Sequence, residues 1–415
     1  MSIKRKYKEI TRIYGMNWAT LYFGYYILHK CIETVYVHFI KMCYPVDDTL
    51  IILRSFPDYA DNARALADYM FENGYCQKYK IYFDVSDLKI VKRWNKNVSF
   101  ISCESKIGIY HLNSLKKVYT AGFLMSTHRP VNIRKRARKE QKIINLWHGC
   151  GYKDKSISQG KVPANFDFAL VPGKLFIAPK SLFWNISKEN ILPLGYPRYD
   201  WLKVKDSTAQ QLMDSYRKNQ QSKVVLWMPT YREDKNGVYN DTNTITQFPL
   251  IDKMERWYEL DGFCAEKNVV LLVKLHPFQK EYDIPFSQFD YIKEIDNSVF
   301  DNADIPMYKF IGLTDALISD YSSVAVDYLI VNRPMAFTLD DFEEYRRERG
   351  FVFEDPRVYM PGHHLYSFQD LEGFLTDVAV GKDDYQSSRD QMYGEAICYS
   401  DNYCKSVLDK FGIQL

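Results

Sequence analysis

The chain has 415 residues, of which 46% are hydrophobic and 26% charged, so we expect a folded globular protein with two domains of about 150–200 residues each. The 55 basic and 52 acidic side chains give a net charge of +3, which excludes a strongly basic nucleic-acid binder. Charges interrupt every long apolar stretch, which excludes a polytopic membrane protein. The eight cysteines form no C-x-x-C pair, so we expect neither a zinc ribbon nor a redox dithiol.

The first 45 residues differ in charge and aromatic content from the rest of the chain. They contain seven Lys or Arg and two Glu, a local charge of +5. An uncharged run from Ile13 to His29 carries side chains that favour a membrane–water interface, namely Trp18, Tyr22, Phe23, Tyr25 and Tyr26. The pattern predicts a helical segment over 1–46, either on an anionic membrane surface or packed as an ordinary amphipathic helix on the protein body.

Short apolar runs alternate with segments of helical spacing from residue 47 onward. In the first series, strands are predicted over 49–56, 80–85, 98–102, 117–122 and 143–147, with a helix over 61–74. In the second series, strands are predicted over 223–230, 269–277 and 316–320, with helices over 254–268, from 321 onward and over 387–411. This alternation predicts an α/β fold with parallel sheets.

Turn residues at 195–201 separate the two series. The predicted domains are therefore 47–198 and 199–415, and the last helix is expected to pack back across the junction.

The first candidate motif is INLWHGCGYKDK (144–155), in which an apolar run ends at His148. A histidine in that position can act as a general base near neutral pH. Gly149 permits close approach of the backbone, and Lys153 can neutralise a phosphate. The alternative is a histidine at a strand end that only bonds a neighbouring carbonyl.

A second histidine motif, VKLHP (273–277), lies in the second series. His276 closes an apolar strand and Pro277 ends it. One histidine at a strand end is weak evidence, but two of them, each followed by a residue that redirects the chain, are stronger.

The segment ISDYSSVAVDYLIVNRP (318–334) predicts an anion site. Ser322 and Ser323 stand where a helix begins, so their hydroxyls and free backbone N–H groups can bind an anion. Asp327 follows Asp320 by about two helical turns and can bond a sugar hydroxyl. The alternative is an N-cap with ordinary buried carboxylates.

Basic side chains provide a further candidate contact. Arg232, in WMPTYRED (227–234), suits bidentate contact with a phosphate, or else a surface ion pair. The basic cluster from Arg129 to Lys142 can bind lipid headgroups or an anionic polymer, or is a solvated face. The motifs G-x-x-x-x-G-K-[ST], G-x-G-x-x-G, D-x-D and G-x-S-x-G do not occur, which argues against a P-loop, a metal-clamped nucleotide-sugar site and a hydrolase elbow.

Read together, the motifs resemble the CDP-glycerol glycerophosphotransferase family, the teichoic-acid primases and polymerases of bacterial cell walls. The resemblance covers about residues 50–375. It rests on segments in family order: SFPDYADNARALADYM (55–70), LWHGCGYK (146–153), GYPRYD (195–200), MPTYRED (228–234), KLHP (274–277), SDYSSVAVDY (319–328) and RGFVFEDPRVYMPGHHLYSFQDL (349–371). Cys150-Gly151-Tyr152 departs from the family's usual Thr-Pro-Leu, on the acceptor side.

The resemblance implies a GT-B-like fold, in which two Rossmann-like domains face a cleft, with the acceptor side in 47–198 and the CDP-polyol side in 199–415. It implies transfer of a polyol phosphate from CDP-glycerol or CDP-ribitol to a hydroxyl of a lipid-linked saccharide or polyol-phosphate acceptor, with release of CMP. It also implies peripheral attachment to the anionic cytoplasmic face of a bacterial membrane, which favours the interfacial interpretation of 1–46. No nucleic-acid partner is expected.

His148 and His276 are similar to the two essential histidines of the family, and we expect His148 to be the base. Asp320 and Asp327 are expected to orient ribose or polyol hydroxyls. The pyrophosphate is expected to be held from the second domain by His276, Arg232, Ser322 and Ser323. Substrate contacts are expected from Gly149, Lys153, Arg232, Pro277, Asp320, Ser322, Ser323 and Asp327.

These residues require no metal or other cofactor, with Mg²⁺ on the pyrophosphate left open. The alternatives are a GT-B glycosyltransferase that uses a nucleotide sugar and a catalytically inactive scaffold on the membrane. The sequence leaves open glycerol or ribitol as the polyol, primase or polymerase, and teichoic acid or capsule as the product.

Overall fold

The computed structural model describes residues 3–89, 98–104, 109–128, 138–153, 164–230, 248–275 and 284–415. Of the predicted site residues, Arg232, His276 and Pro277 lie outside these ranges. The chain forms two units, the first comprising Met1–His148, Asn165–Ala169 and Leu408–Leu415, and the second Gly149–Ala164 and Leu170–Val407. The boundary expected at 198/199 lies inside the second unit.

The helices of the described residues are numbered in chain order. They are α1 (Ile3–Tyr14), α2 (Met16–Cys43), α3 (Asp61–Glu72), α4 (Leu112–Thr120), α5 (Ile177–Trp184), α6 (Tyr199–Lys203), α7 (Ser207–Tyr216), α8 (Met254–Lys267), α9 (Asn297–Ala303), α10 (Met307–Ile311), α11 (Ser323–Tyr328), α12 (Phe342–Glu348), α13 (Phe368–Val380), α14 (Gln386–Ala396) and α15 (Tyr403–Lys410). Local side-chain and backbone conformations explain some of the helix ends. A capping box of Ser367 and Asp370 starts α13, and Asn268 in the left-handed conformation (φ 53°) ends α8.

Two sheets contain the described strands. The first has the order β3-β2-β1-β4-β5-β6-β7. Its strands are β1 (Asp47–Arg54), β2 (Lys80–Asp84), β3 (Ser99–Ile101), β4 (Ala121–Ser126), β5 (Lys142–Asn145), β6 (Phe168–Leu170) and β7 (Ile191–Leu192). The second has the order β10-β9-β8-β11-β12-β13. Its strands are β8 (Lys223–Trp227), β9 (Val269–Val273), β10 (Ile292–Glu294), β11 (Ala316–Ser319), β12 (Met335–Thr338) and β13 (His363–Leu365).

Both sheets are built from parallel pairs, which confirms the predicted α/β class. In the first sheet β1 pairs in parallel with β2 and with β4, and in the second β8 pairs in parallel with β9 and with β11. In each sheet the first strand along the chain lies inside the order, and the connections reverse beside it. Doubly wound folds bind ligands at the carboxyl ends of the strands on either side of that reversal. The carboxyl ends of β1, β4, β8 and β11 flank these two reversals.

Burial of the strands explains why the predicted strands of the second series are uninterrupted apolar runs in the sequence. Every residue of β9 and of β11 is buried, as expected for parallel strands covered on both faces. Trp227, at the end of β8, packs edge-on against Phe248 and tilted against Trp257 of α8. Strand ends in this sheet are therefore held by a packed core.

Two predicted elements need correction. The strand expected over 117–122 is wrong, because the chain is helical up to Thr120 and β4 begins only at Ala121. Leu115, Val118 and Tyr119 are buried at helical spacing, so the apolar residues of this segment cover one face of α4. The single helix expected over 387–411 is two helices, α14 and α15. The break follows Ala396, because the backbone N–H of Cys398 donates to the carbonyl of Pro172 at 2.7 Å instead of continuing the helix.

The N-terminal residues form the helices α1 and α2, the second of 28 residues. The inner face of α2 buries Ala19, Glu33 and Ile40. Within the part of the chain that the structure describes, none of the helices has the length and apolar character needed to cross a bilayer.

Candidate functional site

His148 lies three residues beyond the carboxyl end of β5, in a turn that other strand ends and α3 hold in place. The side chain of Asn145 accepts a hydrogen bond from the backbone N–H of Trp147 at 2.9 Å. Asn62 of α3 is fully buried, and its Nδ2 donates to the carbonyls of Leu146 (3.2 Å) and Trp147 (2.8 Å). These bonds hold Trp147 in the left-handed conformation (φ 53°), which is strained for a residue other than glycine.

The contacts of the partly exposed His148 ring define its orientation. Its Nδ1 lies 3.4 Å from the carbonyl oxygen of Thr127, a long contact. A carbonyl can only accept, so this contact favours the tautomer with the proton on Nδ1. In that neutral form Nε2 carries the lone pair, as a general base requires. The ring also packs at 4.0 Å, centroid to centroid, on Trp147.

Gly149 and Gly151 bring the loop after His148 against the segment Tyr321–Ser323, and both segments belong to the second unit. A Cβ placed on Gly149, whose φ is +132°, would lie 2.4 Å from the Oγ of Ser323. A Cβ on Gly151 would lie 2.7 Å from the backbone nitrogen of Ser323. The backbone N–H of Tyr152 donates to the carbonyl of Tyr321 at 3.3 Å. Both glycines are thus required for this packing.

The two serines of the predicted anion site are partly exposed. Ser322 occupies the N-cap position of α11 without a capping bond from its side chain, and Ser323 is the first residue of the helix. Lys153 is also partly exposed and forms an isolated antiparallel bridge with Phe351. The structure brings Gly149 and Ser323 together within the second unit.

Asp320 is fully buried at the point where the strand order of the second sheet reverses. It accepts hydrogen bonds from the backbone N–H of Thr230 (2.7 Å) and from its hydroxyl (2.5 Å). Thr230 follows β8 and Asp320 follows β11, so the carboxylate ties the two strand ends together. This geometry suits a positioning role better than direct contact with a hydroxyl of a substrate.

Asp327 is likewise fully buried and is held by three protein donors. Its carboxylate accepts from Nη2 of Arg198, from the hydroxyl of Tyr199 and from the hydroxyl of Tyr308, each at 2.5 Å. Arg198 also lies over the Tyr308 ring, with Cζ 4.4 Å from the centroid. Burial, followed by the charge of Asp327, raises the pKa of Tyr199 well above its usual value, so this hydroxyl stays a donor. Because Asp327 is fully buried among these residues, the expected bond to a sugar would require its surroundings to move.

Cys150, where the sequence departs from the family pattern, is a fully buried packing residue. Its Sγ lies 3.2 Å from the hydroxyl of Tyr196. Burial raises the pKa of the Cys150 thiol, so the group stays protonated and is a poor nucleophile at neutral pH.

Several residues that position this region were not singled out from the sequence. Asn62, Arg198 and Lys274 lie in segments that carried the family resemblance, but their partners are far away in the chain. Lys274 is buried, which lowers its pKa, and its Nζ donates to Oδ1 of Asn297 at 2.8 Å. No sequence pattern pointed to His128.

A cavity of about 440 Å³ lies elsewhere in the second unit, and part of its lining is the segment that precedes β13 in the chain. Its lining includes Arg357, His364, Tyr385 and Gln391, and none of the predicted site residues. We therefore do not identify this cavity with the candidate site, which follows the carboxyl ends of the strands.

Comparison with known proteins identifies one family. The family described as CDP-Glycerol:Poly(glycerophosphate) glycerophosphotransferase matches residues 36–407. A teichoic acid ribitol-phosphate primase of Bacillus spizizenii is 26% identical over 234 residues, which is 52% of this chain and 56% of that protein. A teichoic acid glycerol-phosphate primase of the same organism is 25% identical over 279 residues, 64% of this chain and 66% of that protein. The chain spans about half the length of the curated relatives that it matches.

Among solved structures, the wall teichoic acid polymerase TagF shares the fold. One variant of it superposes with a TM-score of 0.70 at 20% identity, covering 92% of both chains. A crystal of a TagF variant soaked with CDPG superposes with a TM-score of 0.68 at 18% identity, covering 100% of this chain and 98% of that one.

Proposed function

Because the chain belongs to the CDP-Glycerol:Poly(glycerophosphate) glycerophosphotransferase family, we propose that it transfers a polyol phosphate from a CDP-polyol to a hydroxyl of a lipid-linked acceptor. The names of the relatives, which are primases and polymerases of teichoic acid, support this reaction class. The CDPG soaked into the TagF crystal supports a CDP-polyol as the donor. The observation that carries the proposal is the setting of His148, a partly exposed imidazole at a strand end within a chain of this family.

In the proposed reaction, the oxygen of the acceptor hydroxyl attacks the β-phosphorus of the CDP-polyol. The bond between this phosphorus and the oxygen that bridges to CMP breaks, and CMP leaves with that oxygen and its electron pair. His148 takes the acceptor proton on Nε2 and later releases it to solvent. The products are CMP, a phosphodiester between acceptor and polyol, and one proton.

The charge on the phosphoryl oxygens must be stabilised as the bonds exchange. We propose Ser322 and Ser323 for this role, together with Lys153, because their side chains are partly exposed. His276 and Arg232 are proposed as further pyrophosphate contacts, and Pro277 as part of the same motif, from the resemblance alone. Asp320 and Asp327 are proposed to hold the surrounding strand ends and Arg198. The proposed reaction requires no metal. The alternative is that Mg²⁺ binds the pyrophosphate of the donor.

The test is acceptor-dependent release of CMP. CDP-glycerol and CDP-ribitol are supplied separately with a lipid-linked saccharide, and UDP-sugars serve as controls. CMP from one CDP-polyol is the expected result and names the donor, while the length of the product separates a primase from a polymerase. Release of UDP from a UDP-sugar, with neither CDP-polyol consumed, would contradict the proposal and favour a glycosyltransferase.

We also propose that α2 binds the anionic cytoplasmic surface of a membrane. Eight of its exposed apolar side chains recur at alternating intervals of three and four residues, at Trp18, Leu21, Tyr25, Leu28, Ile32, Val35, Phe39 and Met42. Exposed Lys4, Lys8 and Arg12 of α1, the helix that precedes α2, add positive charge to this segment. An apolar helix face beside basic residues is typical of interfacial binding.

Sedimentation with vesicles tests this attachment. Val35→Asp is expected to reduce binding to vesicles that contain anionic lipid. Val380→Asp is the matched control, since Val380 is 73% exposed and Val35 is 72% exposed, and it should bind like the wild type. Equal binding by the two variants would contradict a membrane role for α2.

A further inference from the structure

A second histidine, His128, lies directly against His148. His128 follows β4 by two residues and His148 follows β5 by three, and these strands are parallel neighbours in the first sheet. Carboxyl ends of parallel neighbours meet at one edge of the sheet, which brings the two side chains together. The imidazole centroids are 3.9 Å apart and the ring planes differ by 7°, so the rings are stacked face to face.

His128 is itself held on two sides. Its Nδ1 lies 3.0 Å from the hydroxyl of Thr127, and Phe56 meets its ring edge-on at a centroid distance of 5.9 Å. Thr127, whose hydroxyl contacts His128, also contacts His148 through its carbonyl oxygen. One short segment, Thr127–His128, therefore stacks on the ring of His148 and favours its Nδ1-protonated tautomer.

A free imidazole can turn about its two side-chain torsions, and such a rotation moves Nε2 by more than an ångström. Stacking on His128 restricts the ring to one plane, while the tilted contact with Trp147 limits it on another side. Misplacement of a reacting group by about 1 Å can cost about 100-fold in rate. A rotation of the His148 ring would therefore displace Nε2 far enough to slow proton abstraction, and the packed rings oppose that rotation.

We propose that His128 is a positioning residue, whose stacked ring holds the imidazole of His148 in the orientation required for proton abstraction. This inference rests on the proposed transferase reaction for its kinetic consequence, but the stacking itself has a readout that does not depend on activity. His128 acts through His148 and is not expected to contact the donor.

Two substitutions of His128 distinguish the effect of its stacked ring from the effect of its polar nitrogens. His128→Phe keeps a flat ring and should retain kcat within about threefold, whereas His128→Ala removes the ring and should lower kcat by about 10- to 100-fold. The KM for the CDP-polyol should stay unchanged in both variants, because the nucleotide is not held by His128. His111→Ala is the control, since His111 is an exposed histidine before α4. A fall in kcat for Phe as large as for Ala, or a parallel rise of KM, would overturn the positioning role.

The imidazole proton signals of His148, assigned by their loss in His148→Ala, provide the second readout. The ring current of a stacked neighbour shifts these signals, so His128→Ala should move them and His111→Ala should not. Unchanged signals in His128→Ala would overturn the stacking itself. If the wild type fails to release CMP from any CDP-polyol, the proposed function fails, and the signals still decide whether His128 orients His148.

Discussion

The buried pair of Arg198 and Asp327 provides the sharpest test of how the second unit is held together. We consider Asp327→Asn, which keeps the shape of the side chain and removes its charge. In the folded protein this carboxylate accepts from Arg198, Tyr199 and Tyr308, and the ion pair is 5% and 1% exposed. The substitution removes the carboxylate charge that faces the buried guanidinium of Arg198.

The expected loss follows from that burial. Breaking a buried ion pair by removing one partner costs about 3–5 kcal/mol, a large part of the roughly 5–15 kcal/mol that stabilises a folded protein. With a denaturant dependence of about 2–3 kcal/mol per M, the urea midpoint of the second unit should fall by about 1–2.5 M. Intrinsic tryptophan fluorescence follows the transition, because Trp227 and Trp257 lie in the core of this unit.

An exposed ion pair supplies the control. Arg256 and Glu259 are 2.6 Å apart with side chains 35% and 50% exposed, so Glu259→Gln should cost less than about 1 kcal/mol. The double variant Arg198→Met with Asp327→Asn should recover part of the loss, because the buried charge is gone. A midpoint for Asp327→Asn equal to that of Glu259→Gln would refute the reasoning.

Three other predictions concern the base, the glycine loop and pH. His148→Ala should lower CMP release by about 10²- to 10⁴-fold while the dissociation constant of the CDP-polyol stays unchanged, and a large loss of binding would contradict the assignment. Gly149→Ala should destabilise the second unit by about 1–3 kcal/mol in urea, because the new Cβ meets Ser323 at 2.4 Å. Gly262→Ala, in open space on α8, should be neutral or stabilising. Burial lowers the pKa of His363 and of His364, so their contribution to stability is complete above about pH 6.5 and is lost as the pH falls through the lowered values. Unfolding midpoints from pH 7.5 to 5 should therefore fall less steeply in His364→Phe than in the wild type, and parallel curves would contradict this origin of the pH dependence.

Local patterns identified several strands because burial in parallel sheets leaves continuous apolar runs. The runs that became β8, β9 and β11 were recognisable for this reason, and their ends carried the polar motifs. The error at 117–122 shows the limit of the method. A short run with a β-branched residue suits a strand and one face of a helix equally well, and only packing distinguishes them.

The candidate site was predictable in its motifs but not in its supporting contacts. His148 stood out because it follows an apolar strand and precedes Gly149. The partners that orient it did not, because Asn62 lies 85 positions before the carbonyl of Trp147 that it bonds. The interpretation of Asp327 as a direct ligand for a hydroxyl came from helical spacing alone, and the structure instead gives this carboxylate three protein donors.

The sequence by itself determined the α/β class, the family and the order of the motifs, since these depend on apolar periodicity and on residues that are neighbours in the chain. The tertiary structure alone decided which polar groups meet. Arg198 and Asp327 are 129 residues apart, and His128 and His148 come from different strands. The two histidines meet because parallel neighbouring strands bring their carboxyl ends to one edge of a sheet. Arg198 and Asp327 meet because a buried charged group needs a partner inside the fold.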